Sequence, residues 1–163
     1  MNCKKCGHQL ANDSKFCTNC GEKVSNSEKF ENPTMDEIKA HLEFLGYACE
    51  FVEGNPKQVT LICKHTNKPN LILNSGNKNF VFLNSGWNGL KEINSIEQFK
   101  HLNKLNGGTT VSTMVLNDDG DLNFYCSYTG DYHKNRFGEF LDVFLNDINK
   151  SMKDENFQKL FMK

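Results

Sequence analysis

The sequence lacks an excess of charge of either sign. Lysine and arginine together number 19 and aspartate and glutamate 20, which leaves a formal net charge of -1. Proteins that bind nucleic acid through phosphate contacts usually carry a clear basic excess. The first 30 residues have a local excess of positive charge and the remainder is mildly acidic. We therefore do not expect nucleic acid to be the partner.

Long hydrophobic runs are also missing. No stretch approaches the roughly 20 apolar residues that cross a bilayer. No apolar run of the kind found in a secretory signal follows Met1. We expect a cytoplasmic protein with no membrane partner, in a reducing compartment where closely spaced cysteines are more often metal ligands or redox groups than structural disulfides.

Cysteines are concentrated at the N-terminus. Four of the seven form two CxxC pairs, Cys3 with Cys6 and Cys17 with Cys20. Four thiolates close a tetrahedral shell around Zn²⁺, with each sulfur about 2.3 Å from the ion. A redox motif needs one such pair in a sizeable fold, whereas both pairs here lie in a segment too small for its own core. The pattern predicts one structural zinc ion. An iron centre with the same ligands and redox-active pairs are the alternatives.

The residues around the pairs are typical of a small metal-bound fold. Gly7 and Gly21 each follow the second cysteine of a pair, where a tight turn often needs positive φ. Leu10 and Phe16 are predicted to cover the metal. The gap of ten residues between the pairs is shorter than the usual 15 to 20.

The segment "CKKCGHQLANDSKFCTNCGEKV" resembles the short bacterial zinc ribbon of the form CxxCGxxL…FCxxCG. The resemblance implies a structural zinc and a docking surface ahead of an unrelated domain, and it implies no catalysis. We predict a ribbon over residues 1–23 and a polar linker over residues 24–33.

Residues 34–152 are predicted to form an α+β domain with an antiparallel sheet. The expected order is helix, three or four strands, helix, two strands, helix. Thr34 and Glu37 form a capping box at the first helix, which Gly46 ends. Ser95 and Gln98 form the same box at the second. The apolar stripe of the second helix is predicted from Ile96, Phe99, Leu102 and Leu105.

The strands are predicted from apolar segments separated by turn residues. The segments "YACEFV", "QVTLICK", "NLIL" and "NFVFL" precede the second helix. The repeated Asn-Ser-Gly at residues 74–76 and 84–86 is interpreted as turn chemistry rather than as a paired ligand-binding loop. Asp119 and Gly120 predict a hairpin turn between the last two strands.

The third helix is predicted over residues 137–148, with its apolar stripe formed by Phe137, Phe140, Leu141, Phe144 and Ile148. Residues 153–163 are expected to form a tail or a short helix through Phe157, Leu160 and Phe161.

This domain resembles the YbjN-type family of bacterial sensory transduction regulators. The likeness is carried by "LNKLNGGTTVSTMVLNDDGDLNFYCSYTG" and "FGEFLDVFLNDINK", and it covers approximately residues 34–150. It implies a fold like that of type III secretion chaperones. It implies no catalytic residues.

Common catalytic motifs are missing from the sequence, so we expect a non-enzymatic protein. The sequence contains no GxSxG, HExxH, P-loop or GxGxxG motif. His41, His65, His101 and His133 are scattered along the chain and are interpreted as solvated or structurally bonded. Cys63 and Cys126 share strand registers with apolar residues, and Cys49 lies near the start of a strand. All three are predicted to be small buried hydrophobic groups.

Trp87, in "NSGWNG", is not explained by core periodicity. It is predicted either to be an exposed protein contact or to fold back over the sheet edge. The sequence predicts a non-enzymatic zinc-binding interaction or regulatory protein whose partner is a protein or a second copy. The alternative, favoured by the lysines Lys4, Lys5, Lys15 and Lys23, is a nucleic-acid-associated zinc ribbon regulator.

Overall fold

The computed structural model describes residues 2–3, 5–11, 14, 16–22, 32–52, 58–77, 80–87, 95–117 and 121–162, with the side chain of Asn77 left out. The chain divides into two compact units, Met1–Phe30 and Glu31–Lys163. Each unit has its own buried cluster: Cys3, Leu10 and Cys17 form the first, and the second is built from the helices and the sheet of the larger unit.

The larger unit is an α+β domain with a six-stranded antiparallel sheet, which confirms the predicted fold class. The strand order is β1-β2-β3-β4-β6-β5. All four strand segments predicted before the second helix are present. The elements are α1 Pro33–Phe44, β1 Ala48–Val52, β2 Val59–Lys64, β3 Leu71–Asn77, β4 Phe80–Trp87, α2 Ile96–Asn106, β5 Thr113–Leu116, β6 Leu122–Thr129, α3 Lys134–Lys153 and α4 Glu155–Phe161.

One face of the sheet forms the core together with the helices. Successive strand residues point to opposite faces, so alternate positions along each strand are buried. Leu71 and Leu73 in β3, and Phe124 in β6, have no exposed surface. They belong to one cluster with buried residues of all four helices. The described helices therefore cover the same sheet face. None of them is long and apolar enough to cross a membrane.

The first helix begins one residue earlier than its predicted cap. Pro33 is the first helical residue and Asn32 is the N-cap, which makes no capping side-chain bond to the helix. The Asn32 amide instead donates to the Ser75 hydroxyl at 2.8 Å. Proline suits the first position because its φ is already helical and its missing N–H would be unpaired there. The predicted capping box at Thr34 is therefore wrong.

The interpretation of the Asn-Ser-Gly repeats as turns is also wrong. Residues 74–76 continue β3 and residues 84–86 continue β4. Ser75 and Ser85 are both buried on the helix-covered face. Their hydroxyls donate to the backbone carbonyls of Phe80 at 2.7 Å and Asn70 at 2.6 Å. A buried serine is tolerated when its hydroxyl is bonded in this way, and these partners come from other parts of the chain.

The capping box of α2 is confirmed, but its predicted apolar stripe is partly wrong. The Gln98 backbone N–H donates to the Ser95 hydroxyl at 3.2 Å, and the Ser95 N–H donates to Gln98 Oε1 at 3.1 Å. Ile96 and Phe99 are exposed, whereas the buried residues are Gln98, His101 and Leu102. The polar side of α2 faces inward, where its residues form hydrogen bonds with α4 and its N-cap.

Two contacts fix α4 on α2. The Gln98 side-chain amide donates to the Leu160 carbonyl at 3.0 Å, and His101 Nε2 lies 2.8 Å from Asp154 Oδ1. Phe157 and Phe161 have no exposed surface. The C-terminal segment predicted as a tail or short helix is thus a helix that contributes to the core.

The third helix is present but longer than the predicted residues 137–148, since α3 runs over Lys134–Lys153, and Phe140 of the predicted stripe is only half-buried. The stripe of α3 faces the core, with Phe137, Leu141, Phe144 and Ile148 buried. Strands β5 and β6 pair in the hairpin register, with Leu116 opposite Leu122. The predicted turn at residues 119–120 lies outside the described residues, as does most of the predicted linker, residues 24–31.

Candidate metal centre

Two turns with the same backbone geometry form the ribbon. In the first, the Cys3 N–H donates to the His8 carbonyl and the Gly7 N–H donates to the Cys3 carbonyl, both at 2.8 Å. In the second, the Cys17 N–H donates to the Glu22 carbonyl at 2.7 Å and the Gly21 N–H to the Cys17 carbonyl at 2.8 Å. The repeated CxxCG sequence therefore folds twice into the same knuckle.

The glycines that follow each pair have the predicted conformation. Gly7 has φ of 74° and Gly21 has φ of 69°. A Cβ atom built at either position would meet no heavy atom within 4 Å. Glycine is required here by the left-handed backbone and not by lack of space.

The two knuckles bring all four predicted ligands together. The sulfurs of Cys3, Cys6, Cys17 and Cys20 all lie within 4.8 Å of one another. The pairs that cross between knuckles, Cys3 with Cys20 and Cys6 with Cys17, are each separated by 3.6 Å. Four sulfurs about 2.3 Å from a tetrahedral ion would be about 3.8 Å apart. The donor set and its spacing therefore fit a metal ion held by four thiolates.

The surroundings of Cys6 favour its thiolate, whereas burial and the neighbouring thiols raise the pKa of Cys20 to about 12 in the absence of a metal ion. The Asn19 amide donates to Cys6 Sγ at 3.6 Å. Hydrogen bonds from the His8 backbone and from Asn19 lower the pKa of Cys6 to about 6. Thiolate is the form that binds a metal, and such N–H donors are usual in the outer shell of thiolate sites. Asn19 was not among the site residues predicted from the sequence.

The apolar cover of the cluster is smaller than predicted. Leu10 is buried with Cys3 and Cys17, whereas Phe16 is 58% exposed. An ion pair at 2.7 Å between Lys5 Nζ and Glu22 Oε2 joins the two knuckles instead. Both side chains are largely solvent-exposed, so this pair contributes little stability compared with a bound metal.

Residues 2–24 match the zinc-ribbon domain family. The protein therefore carries an N-terminal zinc-ribbon domain whose four cysteines are placed to bind a metal ion, and the zinc-ribbon part of the predicted resemblance is confirmed. No curated protein and no solved structure matches the chain. The resemblance of the larger unit to YbjN-type regulators stays a prediction.

The four histidines of the larger unit differ in their surroundings. His41 Nδ1 lies 3.0 Å from the Tyr132 hydroxyl, and burial lowers the pKa of His41. His101 pairs with Asp154 at 2.8 Å. His65 Nδ1 accepts from two backbone N–H groups of the following turn. His133 is exposed at the start of α3. The structure does not bring these histidines together.

The three isolated cysteines lie in the sheet. Cys63 and Cys126 are buried, as predicted, and Cys49 is half-buried. Burial raises the pKa of all three thiols. Cys126 lies opposite Leu83, while Cys49 and Cys63 lie opposite each other.

Trp87 is the last residue of β4 and not a loop residue. It lies opposite Leu122 and is half-buried against the core. Its ring meets Phe124 edge to face, with centroids 5.4 Å apart. Trp87 therefore contributes to the packing of its own domain, and its predicted role as a protein contact stays a prediction.

The sheet face opposite the described helices carries apolar side chains, and we call it the outer sheet face. Ile62, Ile72, Asn84 and Tyr125 form a row across four adjacent strands. Phe82 stacks on Tyr125, with centroids 5.2 Å apart. Its exposed apolar residues include Val52, Ile72, Phe80 and Val115.

Proposed function

We propose that this protein is a non-enzymatic zinc-binding regulator, in which the ribbon holds one structural Zn²⁺ and the α+β domain binds a protein. The four ribbon cysteines would hold the ion. A closed set of four thiolates supplies folding energy and leaves no open coordination position for a reacting molecule. The spacing of the sulfurs supports the metal part of the proposal.

The protein-binding part of the proposal rests on the exposed apolar residues of the outer sheet face. Ile72 is 37% exposed and Phe80 is 39% exposed, although both belong to central strands of the sheet. Exposed apolar residues that form a contiguous patch usually mark a contact surface, whereas scattered ones do not. The polar residues of this face include the neutral Thr60, Asn74 and Ser127, and one charge of each sign, Glu50 and Lys64, near its β1 edge. Such a surface suits a protein segment better than a phosphate backbone.

The resemblance to YbjN-type regulators is a second support. The chaperone-like fold that it implies pairs with protein segments or with a second copy. The buried titratable groups of the described domain give a third support, because Asp147 and His101 are bonded to structural partners. Asp147 accepts from the backbone N–H groups of residues 110–112, and His101 pairs with Asp154, the N-cap of α4, so both groups hold neighbouring segments of the fold in place.

The nucleic-acid alternative rests on the lysines of the ribbon. Of these, the structure pairs Lys5 with Glu22. The negative charge of Glu22 offsets the attraction that Lys5 would exert on a phosphate. We therefore treat nucleic-acid binding as an outcome that the experiment below can reveal.

The test is a matched pair of substitutions, Ile72→Asp on the outer sheet face and Ile96→Asp on α2. Ile96 is 73% exposed and Ile72 is 37% exposed in a central strand, so thermal unfolding of both variants is measured first and binding is compared at a temperature where both are folded. A partner would be captured by cross-linking to the full chain and its binding then measured with both proteins purified. We expect Ile72→Asp to weaken that binding about 30-fold, the effect of a hot spot worth about 2 kcal/mol.

Three results would contradict this assignment. Equal binding by both variants would exclude the outer sheet face. Binding of an oligonucleotide that weakens steeply with salt would favour the nucleic-acid alternative. Turnover of a small molecule by the purified chain would show an enzyme. Trp87→Ala is a less clean probe, since loss of its contact with Phe124 should also lower the stability of the domain.

A second prediction concerns the independence of the two units. Chelation of the metal should unfold the ribbon, because Leu10 is the only non-cysteine residue in its small buried cluster among the described residues. The larger unit has a core of its own, so its thermal transition should shift by no more than about 2 °C. Calorimetry with and without chelator measures this. A large fall in that transition would show that the domain depends on the ribbon.

A further inference from the structure

Two cysteines of the larger unit face each other across neighbouring strands. Cys49 in β1 lies directly opposite Cys63 in β2. Opposite residues of antiparallel strands have Cα atoms about 4.5 to 5.5 Å apart and point to the same face. A disulfide spans Cα separations of about 4.4 to 6.8 Å. We propose that Cys49 and Cys63 form a reversible disulfide that fastens the edge strand β1 to the sheet.

The surroundings of the two sulfurs assign them different roles. Cys63 has no exposed surface, whereas Cys49 is half-buried at the sheet edge. A reagent from solution therefore reaches Cys49 first, and Cys63 is the resolving thiol. The paired register of the two strands already places the two residues directly opposite each other, on the same face of the sheet.

The same surroundings make formation of the Cys49–Cys63 disulfide slow. Burial raises the pKa of Cys49 and of Cys63, and only the thiolate attacks a disulfide. The positive charge of Lys39 in α1 lowers the pKa of both thiols. The negative charge of Glu43, its ion-pair partner, raises the same pKa values and offsets that effect. The site is therefore a slow structural cross-link rather than a fast peroxide sensor.

The reaction with a disulfide oxidant such as oxidised glutathione balances in two steps. The Cys49 thiolate attacks one sulfur of the oxidant, whose S–S bond breaks and releases one glutathione thiolate. The Cys63 thiolate then attacks Cys49 Sγ and displaces the second glutathione. The two released thiolates take up the two protons lost by the cysteines. The protein is oxidised by two electrons and the oxidant is reduced to two thiols.

The other cysteines have no such geometry. Cys126 lies opposite Leu83 in β4, so it has an apolar residue and not a thiol across the strand. The ribbon cysteines form the metal cluster of the other unit. Cys126 is therefore a suitable control for the reaction of a buried strand thiol.

The experiment incubates the full metal-loaded chain in a glutathione redox buffer and maps disulfides after trypsin digestion. Cleavage at lysine separates residues 40–57, which hold Cys49, from residues 58–64, which hold Cys63. We expect these two peptides to be linked, with the mass lowered by two hydrogens, and to separate on reduction. The link closes a loop of about 15 residues and should raise the melting temperature of the domain by about 10 °C.

Variants separate this result from other thiol chemistry. Cys126→Ala should still form the link, whereas Cys63→Ala should stop at a glutathione adduct on Cys49. Three results would overturn the proposal: both peptides unmodified in the wild-type chain, a lasting glutathione adduct at Cys49 with Cys63 free, or a link that leaves the melting temperature unchanged. Mapping of the wild-type chain decides the first two, so no conclusion depends on the folding of a variant.

Discussion

The purified protein is expected to contain one zinc ion per chain, and the double variant Cys17→Ser with Cys20→Ser is expected to contain none. The remaining pair, Cys3 and Cys6, cannot close a tetrahedral shell of four thiolates. Apparent binding energies of structural zinc sites are about 10 to 16 kcal/mol at neutral pH. Loss of the second knuckle should therefore abolish tight metal binding and unfold the ribbon.

Elemental analysis of both proteins measures this effect and also identifies the metal. Cys126→Ala provides the matched control, since it removes a thiol of the sheet and should leave the metal content at one per chain. Iron in the wild-type protein would show that the same four ligands form an iron centre. A metal-free wild-type protein, or zinc retained by the double variant, would contradict a site made of both knuckles.

The candidate metal site could be predicted from sequence because its determinants are local. Cys17, Cys20 and Gly21 lie within five residues, and the turn that they form depends on hydrogen bonds among residues 17–22. The second half of the site repeats the same pattern. The identity of the metal could not be derived in the same way, because zinc and iron accept the same four thiolates.

The predictions that failed depend on contacts between distant parts of the chain. The Asn-Ser-Gly repeats have the composition of turns, yet Ser85 bonds to the carbonyl of Asn70 and stays within a buried strand. In α2, the helical spacing of the apolar residues predicts that Ile96 and Phe99 face the core. The contacts of Gln98 and His101 with the C-terminal helix determine the buried side instead. Local propensity carries no information about such partners.

Asp147, the most strongly bonded carboxylate of the described domain, was not predicted from the sequence. It lies among apolar residues on the buried side of α3, and only 1% of its surface is exposed. A carboxylate within an apolar stripe was the available signal, because a buried charge requires partners. Its oxygens accept from the backbone N–H groups of Thr110, Val111 and Ser112 at 2.9 to 3.1 Å, and from the Ser112 hydroxyl at 3.1 Å.

Asp147→Ala is expected to lower the free energy of unfolding by about 3 to 5 kcal/mol, a large part of the stability of an ordinary domain. The change leaves a small cavity and three N–H groups whose acceptor is gone. Asp142→Ala, on the exposed side of the same helix, is the matched control and should change the stability by no more than about 0.5 kcal/mol. Denaturant unfolding of both variants measures the difference.

The pH dependence of the free energy of unfolding tests whether the negative charge of Asp147 is what stabilises the domain. Burial alone would raise the pKa of Asp147, but the three backbone N–H groups and the Ser112 hydroxyl stabilise the carboxylate more strongly, so its pKa lies below the ordinary value. A carboxyl group whose pKa is lower in the folded protein stabilises the fold fully above its unfolded pKa of about 3.9. That contribution is lost as the pH falls through the lower folded pKa.

The stability difference between the wild type and Asp147→Asn should therefore be constant above about pH 5 and should shrink below about pH 4. A difference that stays the same at pH 3 would mean that the shape of the side chain, and not its charge, holds the loop that joins α2 to β5.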